Sequence, residues 1–331
     1  MNMHSRSPLA TLATMALACL ASLAATPTVA QPDSNYPNKP IRFVVPSSPG
    51  SSPDILSRLI GAALTEELGQ TVVTELMPGA AGIVATSRVA RAEPNGYTLL
   101  YGFNQIVTMN PPLYKEKLPY DPPRDFAPIS LTLNLSYMWI ANPDFAPNTM
   151  AELIARNIQA PGSVKYASTG YGSAAHLGGV LLELMTGTSM LHVPYRGNTT
   201  ADLLAGVVQL KLDPVAASIG LVKAGRVKVL AVSAPQRLAV LPDVPTVAET
   251  LPGYAIVGWQ GVWAPAGTPE AIIQILNTAI VKVIARPDIQ KRIRELGYEP
   301  VSSSPREMAE RIRKETAEWT ETITRAGITL D

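Results

Sequence analysis

The 331-residue chain carries 27 Lys and Arg against 26 Asp and Glu, so no polyelectrolyte field favours nucleic acid or acidic lipid. Apolar residues make up 47% and charged residues 16%, which is material for a large core in about two domains and far from a disordered composition. The lone Cys19 excludes a disulfide framework, a thiolate zinc site and a CxxC redox pair.

Residues 1–30 differ from the rest. Arg6 is their only fully charged side chain, Ala and Leu dominate 9–25, and Thr28-Val29-Ala30 supplies the small residues a signal peptidase reads. This predicts an exported protein, cleaved after Ala30 and periplasmic in location. The apolar run is interrupted by Thr11, Thr14 and Ser22 and is too short to span a bilayer. Cleavage leaves a formally neutral, cysteine-free chain whose histidines are His176 and His192. A thiol nucleophile and a histidine-rich metal site are then both out of reach.

Beyond a polar leader, 41–45 reads as a buried strand that Pro46 stops, and 54–68 as a helix ended by Gly69. Strands over 71–76 and 97–101 flank a helix over 82–92, a βαβ series that calls for a parallel sheet. The pattern restarts with strands at 164–168, 190–193, 209–212 and 227–232, and helices at 174–185, 199–205 and 219–224. The β-rich runs 129–141 and 254–263 suit crossings between two units. The helical tail, 269–284, 288–296 and 305–326, is expected to pack back on the first unit. Strand carboxyl ends and helix N-termini should face an inter-domain cleft, where ligands usually bind.

Three constellations could carry chemistry. Between the first strand and its helix lies Pro46-Ser47-Ser48-Pro49-Gly50-Ser51-Ser52-Pro53-Asp54, rich in hydroxyl donors at a helix N-terminus that favours anions. Asp54 could instead cap that helix. The loop has neither the Gly-Lys-Ser/Thr ending of a P-loop nor the GxGxxG spacing, which argues against a nucleotide. The second unit has the same design in 166–176, with Ser173 a helix cap. Ser173 near His176 keeps an exported serine hydrolase open as the alternative, although the run is not G-x-S-x-G. Thirdly, Tyr195 and Arg196 follow a strand, and the guanidinium could fork a carboxylate or serve as a surface charge.

At these residues the chain resembles the Bug-type (TctC-type) extracytoplasmic solute receptors of tripartite tricarboxylate transporters. The resemblance runs through Tyr36-Pro37-Asn38-Lys39-Pro40, Pro78-Gly79-Ala80-Ala81-Gly82 and Pro94-Asn95-Gly96-Tyr97-Thr98. It continues in 170–177, His192-Val193-Pro194-Tyr195-Arg196-Gly197, Leu241-Pro242-Asp243-Val244-Pro245 and Ala264-Pro265-Ala266-Gly267-Thr268-Pro269. It implies a periplasmic-binding-protein type II fold: two α/β lobes, 36–136 with 255–331 and 137–254, joined by two crossing strands around a cleft. It also implies a binding protein and not an enzyme, with a small organic carboxylate as ligand, membrane transporter subunits as partners, no cofactor and no nucleic acid. A monomer is expected. The implied contacts are Ser47, Ser48, Ser51, Ser52 and Asn104 in the first lobe, and Ser168, Thr169, Gly172, Ser173, Ala174 and Asp213 in the second. Serines replace the usual Gly-Gly after Pro49-Gly50, so a family ligand preference does not transfer. Dicarboxylates, tricarboxylates, aromatic acids, amino acids and nicotinate-like acids all stay open.

Overall fold

Pro40 and Pro46 bracket the first strand, β1 (Ile41–Val45), because neither has an N–H to give a sheet. The computed structural model describes residues 35–195 and 199–330; the expected signal segment 1–30 and Arg196 lie outside them. Helix α1 (Ser52–Leu68) follows, stopped by Gly69 in the left-handed region, then β2 (Val72–Leu76), α2 (Ile83–Ala90) and β3 (Thr98–Phe103). A π-helical turn over Gln105–Met109 runs into the short helices α3 (Asn110–Tyr114) and α4 (Pro122–Asp125). The 16-residue strand β4 (Phe126–Ala141) ends this part of the chain.

The next series is α5 (Met150–Gln159), β5 (Lys165–Ser168), α6 (Ala174–Thr186), β6 (Leu191–Pro194), α7 (Thr200–Leu204), β7 (Leu210–Pro214), α8 (Val215–Lys223), β8 (Lys228–Val232) and α9 (Val247–Thr250). The chain returns through β9 (Val257–Pro265) to α10 (Glu270–Ala285), α11 (Pro287–Glu295), β10 (Glu299–Pro300) and α12 (Pro305–Arg325).

Strand order is β2-β1-β3-β9-β4-β7-β5-β6, with β10 and β8 also on β4. Residues 126–136 of β4 pair with β9, and 137–141 pair with β7 and β8, so one strand serves both halves. Register shifts at Pro128/Ser130, Leu131/Leu133 and Trp139/Ile140 bend it along the way. Direction follows from the pairings. β9 is antiparallel to both β3 and β4, so β1 and β3 run with β4 toward Ser136. β7 is antiparallel to β4 and parallel to β5, so β5 and β7 run back toward Tyr137. The carboxyl ends of both strand sets therefore open at the same junction.

Each half has its own core. Val44, Leu100, Ile106, Trp259, Trp263 and Met308 fill one side of the first sheet. In the second half, Trp139, Tyr166, Leu177 and Leu212 pack under α6, and Met138, Ile140, Ala167 and Val215 pack on the opposite face. The Tyr254 hydroxyl ties the return segment to α6 by donating to the Gly178 carbonyl at 3.0 Å. From Pro37 onward the chain forms one closely packed unit.

Several elements differ from expectation. α8 begins at Val215, directly after Pro214, and not at 219. Helix α5 and the helical segment after β3 were not foreseen. The tail does cover the first sheet, but Trp319 and Ile323 of α12 also join the core under α6. The last helix thus spans both halves, because its apolar face continues past the end of the first sheet.

Candidate functional site

Two strand–loop–helix connections open at the junction, and they are built alike. In the first, Gly50 has φ +76°, and its N–H donates to the Asp54 carboxylate four residues on, at 2.8 Å. In the second, Gly172 has φ +76°, and its N–H donates to His176 Nδ1, again four residues on, at 3.1 Å. Positive φ at both turns is why glycine stands there. The next residue is the N-cap serine in each case. Ser51 donates Oγ–H to the Ser48 carbonyl at 2.6 Å, and Ser173 donates Oγ–H to the Gly170 carbonyl at 2.7 Å. Helix bonding then starts with Ile55 N–H to Ser51 and Leu177 N–H to Ser173.

Asp54 is buried, and its second oxygen accepts from Arg58 Nε at 2.6 Å. The Gly50 amide, and then Arg58, hold its carboxyl below the usual range against the opposing effect of burial. Its role is to clamp the loop from the first turn, not to cap the helix as an N-cap residue. Ser47 places its Oγ in a buried position with no partner, and Ser48 is exposed. The Ser52 hydroxyl accepts from Gln260 Nε2 at 3.3 Å, while the Oε1 of that fully buried glutamine has no partner. Asn104 is buried and donates to the Val257 carbonyl, which fixes the start of β9.

In the second loop the Ser168 hydroxyl is the centre of a network. It contacts His192 Nε2 at 2.6 Å, accepts from the Gly170 amide at 3.0 Å and lies 3.1 Å from the Gly170 carbonyl. Donation to that carbonyl leaves the hydroxyl to accept from His192 Nε2–H. His192 Nδ1, buried without a partner, is then a lone pair and not an unpaired donor, the cheaper arrangement. His176 must likewise carry its proton on Nε2, because Nδ1 accepts from Gly172. The two imidazoles stack at 4.3 Å, with Tyr166 against His192 and the exposed Tyr171 edge-on to both. Burial pushes each histidine down to about 4, and the neighbouring His192 adds to the effect on His176. Both are neutral at pH 7.

Thr169 is exposed, Gly172 buried, and Ser173 and Ala174 half-buried at the start of α6. Ser173 and His176 meet only through the main chain: the serine hydroxyl accepts from His176 N–H at 3.3 Å while the ring faces Gly172. This is a helix cap, and the serine is not held by a base as a nucleophile would be. Asp213, one residue before the end of β7, is buried with Lys211 Nζ at 2.9 Å and the Ser218 hydroxyl on its other oxygen. Tyr195 donates to Asp202 at 2.7 Å.

Thus Ser47, Ser48, Ser51 and Ser52 share one loop, Ser168 to Ala174 the other, and Asn104 and Asp213 lie at the carboxyl ends of β3 and β7, which open at the same junction. Sequence reasoning missed Lys211 and the histidine stack. It also passed over the Gly-Ser-x-x-Asp and Gly-Ser-x-x-His match, which is legible in the chain once the two loops are aligned. Among the described residues, no group of three or more His, Cys, Asp or Glu side chains could hold a metal, and no helix is long and apolar enough to cross a membrane.

The model of the tripartite tricarboxylate transporter family receptor (TctC) matches residues 11–328. BugT of Bordetella pertussis is 31% identical over 92% of this chain and 95% of its own length. Among solved structures, Rhodopseudomonas palustris Rpa4515 with adipate is similar at 34% identity and TM-score 0.79, over 89% of this chain and 100% of that one. The periplasmic binding protein BugD is 33% identical at TM-score 0.75, with the same coverage. MatC from Rhodopseudomonas palustris with bound malate is 30% identical at TM-score 0.75, over 87% and 100%. The fold is that of the type II periplasmic binding proteins, and the chain belongs to the tripartite tricarboxylate transporter receptor family.

Proposed function

We propose that the chain is an exported, cleaved solute receptor that captures a small carboxylate between two lobes and presents it to a tripartite tricarboxylate-type membrane transporter or sensor. The lobes are 36–136 with 255–331, and 137–254, hinged where β4 and the segment leading into β9 pass the junction. The observation that carries the reading is the pair of matched Gly-Ser loops that open there, each beginning a helix. The first-turn amides of those two helices suit an anion held without an arginine cage. The adipate and malate bound by similar receptors support the same ligand class. The contacts are Ser47, Ser48, Ser51, Ser52 and Asn104 on one side, and Ser168, Thr169, Gly172, Ser173, Ala174 and Asp213 on the other.

The chemistry is capture, with no bond made or broken. A few charge-assisted hydrogen bonds of about 1.5–3 kcal/mol each are enough for micromolar binding once association costs are met. Mass spectrometry of ligand released from gently purified protein, followed by a thermal-shift screen of organic acids, tests the reading. A bound acid that raises the melting temperature is expected. Protein that releases none and responds to none contradicts it.

A further inference from the structure

Lys211 and Asp213 stand two residues apart on β7, so both side chains leave the same face of the strand. Lys211 lies opposite Ile140 of β4 and Ala167 of β5, and Asp213 opposite Met138, so that face is the apolar one shared with Val215. Lys211 Nζ is 2.9 Å from one Asp213 oxygen, and the Ser218 hydroxyl donates to the other. Among the described residues this is the one ion pair with both side chains less than a tenth exposed, at 8% and 9%.

Burying two charges in apolar surroundings is expensive, and an apolar pair of the same size is often at least as stable. The fold alone therefore gives little reason for this pair. Its position gives one, because β7 opens at the junction, where Asp213 is a proposed contact. A free carboxylate there would attract a ligand's ammonium group and repel its carboxylate. With Lys211 on one oxygen and Ser218 on the other, Asp213 presents a neutral pair instead. An incoming ammonium group would gain no net charge attraction, meet the Lys211 cation and still lose its water.

We propose that Lys211 is a specificity-determining residue acting through Asp213: by neutralising that carboxylate it excludes ligands that carry an ammonium group and restricts the receptor to amine-free organic acids. This deepens, and rests on, the carboxylate-receptor reading. It removes amino acids from the ligand classes that the sequence leaves open, and it needs no contact between Lys211 and the ligand.

Calorimetry on ligand pairs of the same shape tests it: malate against aspartate, 2-hydroxyglutarate against glutamate, and 2-hydroxyadipate against 2-aminoadipate, each exchanging a hydroxyl for an ammonium group. For the length that fits, wild-type protein should prefer the hydroxy acid by about tenfold or more. Lys211→Met should bring the pair within about threefold, through tighter binding of the amino acid. Where that variant does not fold, Lys211→Gln, which keeps a donor for Asp213 without the charge, gives the same readout. Combining Lys211→Met with Asp213→Asn should restore the wild-type preference, since neither charge remains. A purely structural pair would change the melting temperature and leave the ligand ratio alone. An unchanged ratio in the single variants therefore overturns the proposal, as does wild-type protein that binds the amino acid as tightly as the hydroxy acid. Wild-type protein that binds none of these acids contradicts instead the carboxylate reading on which the proposal rests.

Discussion

At the residue scale, the second loop depends on a hydrogen-bond network centred on one serine. Ser168 holds both ends of the Gly170 peptide and the His192 ring, so Ser168→Ala strands a buried imidazole N–H and frees the loop. The cost should be about 1–3 kcal/mol in a denaturant midpoint, the desolvation penalty of an unmade bond; a change below about 0.5 would show that the network contributes nothing. The histidines give a pH signature. Folded, both ionise near 4; unfolded, near 6.5. Folding therefore excludes protons, so stability is complete above pH 6.5 and falls as the pH drops toward 4. The slope is at most about 1.4 kcal/mol per unit for each ring, and less for the half-buried, screened His192. Melting curves between pH 7 and 4 check it, and His192→Gln should flatten the slope. The small polar residues of both loops were legible from sequence, because serine and glycine between a strand and a helix have few other uses. The His176–His192 stack was not, since it joins the first turn of α6 to β6, which only the parallel β5–β6 pairing brings alongside.

At the element scale, the two glycine turns separate conformational strain from crowding. A Cβ at Gly50 would meet nothing within 4 Å, so Gly50→Ala should cost only the left-handed backbone penalty of about 1–2 kcal/mol. A Cβ at Gly172 would lie 2.8 Å from Leu113 and 3.1 Å from Leu330, so Gly172→Ala adds a clash with α3 and the chain end. It should be the more destabilising by at least about 1 kcal/mol, typical of overpacking. Equal melting temperatures for the two variants would mean that the Leu113 contact is unimportant. The alternation of strands and helices was readable from periodicity. Helix α5 escaped because its apolar face is thin, although Thr149 and Glu152 mark its start with a side-chain cap. The insertion of β9 between β3 and β4 could not be read at all: pairing across more than a hundred residues leaves no local signal.

At the scale of the whole molecule, β4 crosses the junction, the chain returns just before β9, where Ile256 N–H still bonds the Ser233 carbonyl, and α12 spans it. Trp259 donates to Glu315, and Arg311 to Asn134, so α12 is fastened to β9 and β4 near the junction. Trp319 and Ile323 of the same helix reach the second core. Closure by rotation about these strands should leave each half rigid. A ligand that touches both halves stabilises the closed form. Small-angle scattering should then give a smaller radius of gyration with saturating ligand, and an unchanged profile under verified binding would place the ligand on one half alone. Two α/β halves and two crossings were legible from the restart of the strand pattern and the two long β-rich runs. Which face α12 covers was not, because its charged sequence fixes a helix but not its partner.

The central claim is that backbone amides, hydroxyls and helix termini at this junction hold an anion. Calorimetry of the best-binding acid against its fully amidated analogue, of the same shape and without charge, addresses that claim most directly. The amide should bind at least tenfold more weakly, since the donors lose their anionic partner. An amide that binds as tightly as the acid would contradict it.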